Sequence, residues 1–276
     1  MPRQDPFFHF KNKSNRRPAS KPRQAQVTGR SDAPGDAALE HPALELGKSF
    51  AFDGGLARRL LRREVDASEA FTLKDAAGVF YRASVKELSE TGGTAVPYER
   101  LAVSPEPVIE ITLACAVLAR QRMIFVAQKA TELGVTRIVP LLTEHSVPAR
   151  GLEHEKAHAW PGQIIRAAKQ CRRSSLPEIR APITLDAFLA SPLAGEPELC
   201  LCLDNVGGRA AAPEREPRGI LLLVGPEGGF SEAERGKISG RAVSWLLGGR
   251  VLRAETAVLV GLAAVHLRWG DFRTSF

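Results

Sequence analysis

The sequence predicts an α/β protein built on a parallel sheet, preceded by a smaller β-rich module. Three observations carry that expectation. From residue 108 onward strands and helices alternate, the order that folds into parallel strand–helix–strand units. Gly219–Val224 (GILLLV) is apolar without alternation, as in a strand buried on both faces of such a sheet. Between residues 46 and 103 the elements are short and strand-like instead. Ser104, Pro105, Glu106 and Pro107 separate the two regimes as a stiff linker, because two prolines interrupt helix and ladder alike.

Taken in order, residues 1–45 are rich in Pro, Arg, Lys, Ser and Ala without apolar periodicity and read as a disordered basic arm. Residues 1–30 hold eight Lys and Arg against one acid, Asp5, which accounts for the whole net charge of +7 and leaves the remainder balanced. Such an arm suits a phosphate backbone through counterion release; a plain solubilising tail explains it equally well. Prolines at positions 2, 6, 18 and 22 disfavour the amphipathic helix of an organelle presequence.

In the small module, a strand-like stretch at 50–52 leads through Gly54 and Gly55 into a brief helix over 56–63 that bears Arg58, Arg59, Arg62 and Arg63. Ala70–Lys74 and residues 79–85 read as strands around a turn at 75–78. Beyond the linker come a strand at 108–117, a helix at 121–133 stopped by Gly134, and a strand Arg137–Leu142. A helix at 160–174 and the strands Leu199–Leu203 and Gly219–Val224 follow. Ser231 and Glu234, three apart, form a capping box for a helix to residue 239. A strand at 243–247 and a helix at 256–267 close the chain, with Ala257, Val260, Gly261, Ala264 and Leu267 on one face.

Several function classes drop out. No apolar run reaches membrane-spanning length, so no membrane partner is expected. Four cysteines in 276 residues make no disulfide framework. Cys200 and Cys202 share one face of a strand, but a metal pair needs two further ligands and no nearby cluster supplies them. The six histidines are scattered without ligand spacing, so no metal is expected; His145 is a possible substrate contact or a surface histidine. Reduced cysteines fit a cytoplasmic protein.

The chemistry-bearing stretch is GPEGGFSEAE, residues 225–234, where a buried strand runs through three glycines and a proline into a capped helix. It presents main-chain groups at the carboxyl end of a strand, where open α/β sheets bind ligands. Neither the GxxxxGK[ST] nor the GxGxxG spacing is present, so it is neither a P-loop nor a dinucleotide fingerprint. A tight structural turn would also explain it. The segment LGGRVLRAETA, residues 247–257, repeats the pattern: a strand ends in glycines, a loop carries Arg250, Arg253, Glu255 and Thr256, and a helix follows. Two such loops suggest a joint pocket.

These two segments resemble the diagnostic motifs of the ribosomal RNA small subunit methyltransferase E family, within the SPOUT class of knotted methyltransferases. KATELG at 129–134 is similar to a third family motif, and residues 166–177 to a fourth; the N-terminal piece around Leu60, Phe71 and Tyr81 is like the family's PUA-like RNA-binding barrel. After the arm at 1–45, the resemblance implies a PUA-like domain at 46–104 and a SPOUT domain at 105–276 with a parallel sheet and a C-terminal trefoil knot. It implies methylation of uridine N3 in 16S ribosomal RNA of the small ribosomal subunit, S-adenosylmethionine as donor, and a homodimer.

Carried over by motif, the cofactor pocket comprises Leu201, Leu203, Gly225, Glu227, Gly228, Leu247, Gly248, Arg250, Leu252 and Thr256. Adenine needs apolar walls and backbone hydrogen bonds, and a sulfonium tolerates a carboxylate nearby. Because N3 must lose its proton, Arg253 and Glu255 are the candidates for anion stabilisation and proton handling, unless they pair with each other to hold the loop. Arg58, Arg59, Arg62 and Arg63 are candidate RNA contacts, or else a solvated helix face, and Arg173 is a candidate contact to RNA or to the dimer partner. Lys169 stands where the family often has Glu, and the basic arm is not part of the usual pattern. Another SPOUT RNA methyltransferase, acting on tRNA or a ribose 2′-hydroxyl, and a non-catalytic RNA-binding assembly factor are the alternatives.

Overall fold

A computed structural model describes residues 35–204 and 216–272; the basic stretch that dominates the N-terminal arm lies outside the described residues. Two sheets organise the chain. The first is antiparallel, of β1 (Phe50–Asp53), β2 (Ala70–Lys74), β3 (Phe80–Ser89) and β4 (Gly92–Arg100), in the order β1-β4-β3-β2. Helix α1 (Gly54–Arg62) is opened by Asp53, whose Oδ1 accepts the Leu56 N–H at 2.9 Å. It packs Leu56, Ala57 and Leu60 into one core with Phe71, Leu73, Ala83 and Val85.

Strand β4 escapes sequence reading for physical reasons. It begins with two glycines and contains Pro97, all signs against a central strand. The structure requires them: a Cβ on Gly93 would lie 2.2 Å from the Glu87 carbonyl oxygen and 2.6 Å from the Phe52 ring. Pro97 pairs with Ala83 next to a register shift, where a ladder donor is dispensable.

The second sheet is parallel throughout. Its strands are β5 (Glu110–Ala116), β6 (Arg137–Leu142), β7 (Glu178–Ile179), β8 (Ile183–Thr184), β9 (Leu199–Leu203), β10 (Gly219–Val224) and β11 (Val243–Trp245). The order is β11-β9-β10-β5-β6-β7, with β8 also on β6. Helices α2 (Arg120–Glu132), α3 (Trp160–Gln170), α4 (Leu185–Ala190), α5 (Glu232–Ser239) and α6 (Ala254–Trp269) complete the α/β fold. Side chains alternate between two cores. Ile220, Leu222 and Val224 face one with Leu201, Val258 and Leu262; Leu221 and Leu223 face the other with Cys202 and Phe188. That double burial is why β10 reads as an unbroken apolar run. No helix among the described residues is long and apolar enough to cross a membrane.

After β10 the chain passes β9 to the sheet edge at β11, then returns as α6 against α2 and β10. This path brings the loops that follow β9, β10 and β11 to one end of the sheet.

Several expected boundaries move. The helix expected to run to residue 174 stops at Gln170, because Arg172 takes a left-handed backbone with φ of 65° and turns the chain. Helix α6 starts at Ala254, so Glu255 and Thr256 stand on its first turn and not in the preceding loop. The disordered reading of residues up to 45 is wrong for its last eleven. Leu39 is 1 % exposed in the first core, and Asp36 and Glu40 bridge to Leu176 and Lys74.

Arg59 and Arg63 bind the Asp36 carboxylate, at 2.8 Å for Arg59 Nε and 2.7 Å for Arg63 Nη2. Arg63 is buried and also donates to the carbonyls of Ala37 and Ser174, so these two arginines are structural and do not form an exposed patch. Arg58 and Arg62 stay exposed. Arg173 is buried as well, donating to the carbonyls of Thr131 (3.1 Å) and Val135 (2.8 Å), which removes it from the candidate RNA contacts. Lys169 joins the two modules, donating to Glu69 Oε2 at 2.7 Å and the Glu64 carbonyl at 2.6 Å. The linker is stapled too: Glu106 Oε1 accepts the N–H groups of Ser174 and Ser175 at 2.6 and 2.8 Å.

The Asp36 ties predict a sharp truncation boundary. A chain lacking residues 1–40 should melt at least about 5 °C below one lacking residues 1–34, since it loses a core leucine and orphans Arg63. Differential scanning calorimetry of the two truncations checks this; equal melting temperatures would contradict it.

Candidate functional site

A cavity opens at the carboxyl ends of β9, β10 and β11. Leu203 and Asp204 come from the end of β9. Val224 ends β10, and Gly225, Pro226, Glu227, Gly229 and Phe230 come from the loop after it. Trp245 ends β11, Leu247, Gly248, Arg250, Val251 and Leu252 come from the loop after it, and Ala254 and Ala257 from α6. The two glycine-bearing loops read from the sequence therefore do meet, because β10 and β11 flank β9 and end at the same level.

Local physics shapes each wall. Gly225 admits no side chain without compression, since a Cβ there would sit 3.2 Å from the buried Phe230 ring. Gly248 takes φ of +147°, a conformation that side chains disfavour. Ser231 and Glu234 form the expected capping box, and Glu234 Oε1 additionally accepts the Glu144 N–H at 2.9 Å. His145 in turn lies 3.0 Å from the Gly229 carbonyl through Nδ1, so the loop after β6 buttresses the loop after β10.

Of the expected cofactor residues, Leu203, Gly225, Glu227, Leu247, Gly248, Arg250 and Leu252 line the cavity. Three do not. Leu201 is buried in the core beneath it, Thr256 is exposed on α6, and a Cβ on Gly228 would meet the His145 side chain, at 3.1 Å from its Cβ and 3.2 Å from its ring. Arg253 is exposed at the N-cap of α6. Glu255 is mostly buried and does not pair with Arg253; its Oε1 is 3.8 Å from Arg122 Nε, and the same guanidinium donates to Glu227. The Oε2 of Glu255 is buried without a hydrogen-bond partner.

Sequence reading missed Asp204, Phe230, Trp245, Val251 and Arg122. The first three lie at or just beyond the carboxyl ends of β9, β10 and β11, and that rule for parallel sheets could have found them. Arg122 had no local signal, because its partners are 105 and 133 positions away. Beneath these carboxylates the Cys115 thiol is pushed up to about 12, by burial first and then by Glu227 and Glu255. Among the described residues the four cysteines are free, and no group of three or more His, Cys, Asp or Glu is placed to hold a metal.

The site can therefore enclose a flat apolar group between Val224, Phe230, Trp245 and Leu252, offer it bare main chain, and face a cation with Asp204 and Glu227, carboxylates that Arg235 and Arg122 hold in ion pairs. S-Adenosylmethionine has these features: a flat adenine and a cationic sulfonium.

Comparison with known proteins adds the family. A model of the RNA methyltransferase domain matches residues 104–266. The ribosomal RNA small subunit methyltransferase E of Synechocystis is 30% identical over 216 residues, which cover 76% of this chain and 69% of that one. The enzyme of the same name from Neisseria gonorrhoeae, solved with S-adenosylmethionine bound, superposes with a TM-score of 0.61 at 29% identity, over 85% of this chain and 98% of that one. A Legionella pneumophila methyltransferase solved with the same cofactor gives 0.61 at 30% identity, again over 85% and 98%. Agreement of the domain model, the Synechocystis relative and the fold leaves one assignment: the chain belongs to the ribosomal RNA small subunit methyltransferase E family.

Proposed function

We propose that this protein transfers a methyl group from S-adenosylmethionine to N3 of a uridine in 16S ribosomal RNA. The observation that carries the reading is the cavity shared by the loops after β10 and β11, which combines apolar walls, glycine main chain and carboxylates. Bound there, S-adenosylmethionine supplies an electrophilic methyl carbon. The chain supplies position and charge. Leu203, Leu247 and Leu252 with Gly225 and Gly248 hold the donor, which lets proximity account for much of the rate. Arg253, exposed at the rim, stabilises the anion that forms as N3 loses its proton, and Glu255 takes part in moving that proton.

The antiparallel module at 46–104 acts as a PUA-like RNA-binding domain in this reading, with residues 35–45 added to it and Arg58 and Arg62 as phosphate contacts. The domain from 105 onward is of the SPOUT type. The excursion of β11 past β9 and the return of α6 support a C-terminal trefoil knot. A homodimer working on the small ribosomal subunit in the cytoplasm completes the assignment.

Mass mapping of 16S ribosomal RNA tests the substrate. A strain lacking the gene should lose a single uridine-N3 methyl mark and regain it on complementation. Persistence of every such mark would overturn the assignment.

A further inference from the structure

Arg122 is used by none of the motifs, yet it stands between a carboxylate of the cavity wall, Glu227, and a carboxylate on the first turn of α6, Glu255. It rises from the first turn of α2, donates to Glu227 in the loop after β10, and stands 3.8 Å from Glu255 on α6. The two carboxylates differ in setting. Glu227 is 41 % exposed and lines the cavity, whereas Glu255 is 15 % exposed and keeps Oε2 buried with no partner. One guanidinium shared by two carboxylates leaves the cluster one unit negative, and among the described residues it is what ties these side chains together.

We propose that Arg122 is a positioning residue of the methyl-transfer site: it fixes the spacing of Glu227 and Glu255 and limits the negative charge that faces the donor. The inference rests on the methyl-donor reading given above. Removing the guanidinium would have two opposite effects. The carboxylates would repel and lose their fixed geometry, which slows turnover. The wall would also become more negative, which favours a cationic ligand over a neutral one. A residue that merely held the fold would weaken both ligands together.

The discriminating pair of probes is S-adenosylmethionine, cationic at sulfur, and its demethylated product S-adenosylhomocysteine, neutral at sulfur. With the full chain, calorimetry on Arg122→Gln should show the preference for the cationic ligand raised about threefold, while single-turnover methylation of small ribosomal subunits slows at least about tenfold. Arg122→Lys keeps the charge and loses the fork, so it should restore the ligand preference but not full turnover. Should Arg122→Gln fold poorly, Glu227→Gln gives the complementary reading, a preference lowered by a similar factor. An unchanged preference with turnover within twofold of the parent would overturn the proposal, as would equal loss of affinity for both ligands. If the unsubstituted chain bound neither ligand, the methyl-donor reading beneath the proposal would be what fails.

Discussion

Gly225→Val is expected to lower affinity for S-adenosylmethionine at least about 100-fold, the largest loss any single change at this site should cause. The strand β10 delivers Gly225 to the cavity floor, where even a Cβ would press the Phe230 ring at 3.2 Å. Phe230 is 2 % exposed and packed into the core, so it cannot retreat, and the valine methyls must enter the cavity instead. Overpacking should also cost about 1–3 kcal/mol of stability. Circular dichroism at 25 °C would establish that the variant is folded when its affinity is measured. Gly228→Val makes the contrast: three positions on, a side chain would push His145 aside and leave the cavity open, so the affinity loss should be much smaller. Equal losses in the two variants would mean that the cavity wall is not where this geometry puts it.

The second large effect concerns stability. Arg63→Met should destabilise the chain by about 3 kcal/mol or more, because it leaves the Asp36 carboxylate, 16 % exposed, without its buried partner. Asp36→Asn with Arg63→Met should cost less than the sum of the two single changes, as expected for groups in contact. Chemical denaturation of the three variants measures this, and a single-variant cost below about 1 kcal/mol would contradict the structural role. The same pair sets an acid limit. Burial raises the Asp36 pKa, but the hydrogen bonds and charges of Arg59 and Arg63 outweigh it and hold the group below its ordinary value of 3.8. Its contribution is therefore complete above that value and is lost as the pH falls through the lower, folded-state one. The melting temperature of the parent should drop more steeply there than that of Asp36→Asn.

What the sequence makes legible follows from what it encodes locally. The unbroken apolar run of β10, the capping box of α5 and the glycine-bearing loops are local statements of backbone preference, and each is found where expected. Three of the arginine assignments failed for the opposite reason. Arg59, Arg63 and Arg173 lie in basic runs that resemble a solvated face, but their partners are Asp36, Ser174, Thr131 and Val135, which only the tertiary fold brings near. Asp36 itself sits in a stretch of Pro, Gly and Ala, and nothing local marks it as an anchor. Gly228 illustrates a finer limit. A motif reports that a glycine is needed, and the reason here is the neighbouring His145, not the cavity.

A crystal structure of the full chain with S-adenosylmethionine would reach the heart of the matter. The adenine should lie between Val224 and Leu252, with main chain of the loops at 225–229 and 247–252 within hydrogen-bond reach and the sulfonium on the side of Glu227. Density for the ligand elsewhere on the protein, or loops closed over an empty space at saturating ligand, would contradict a methyl-donor site made jointly by the two loops.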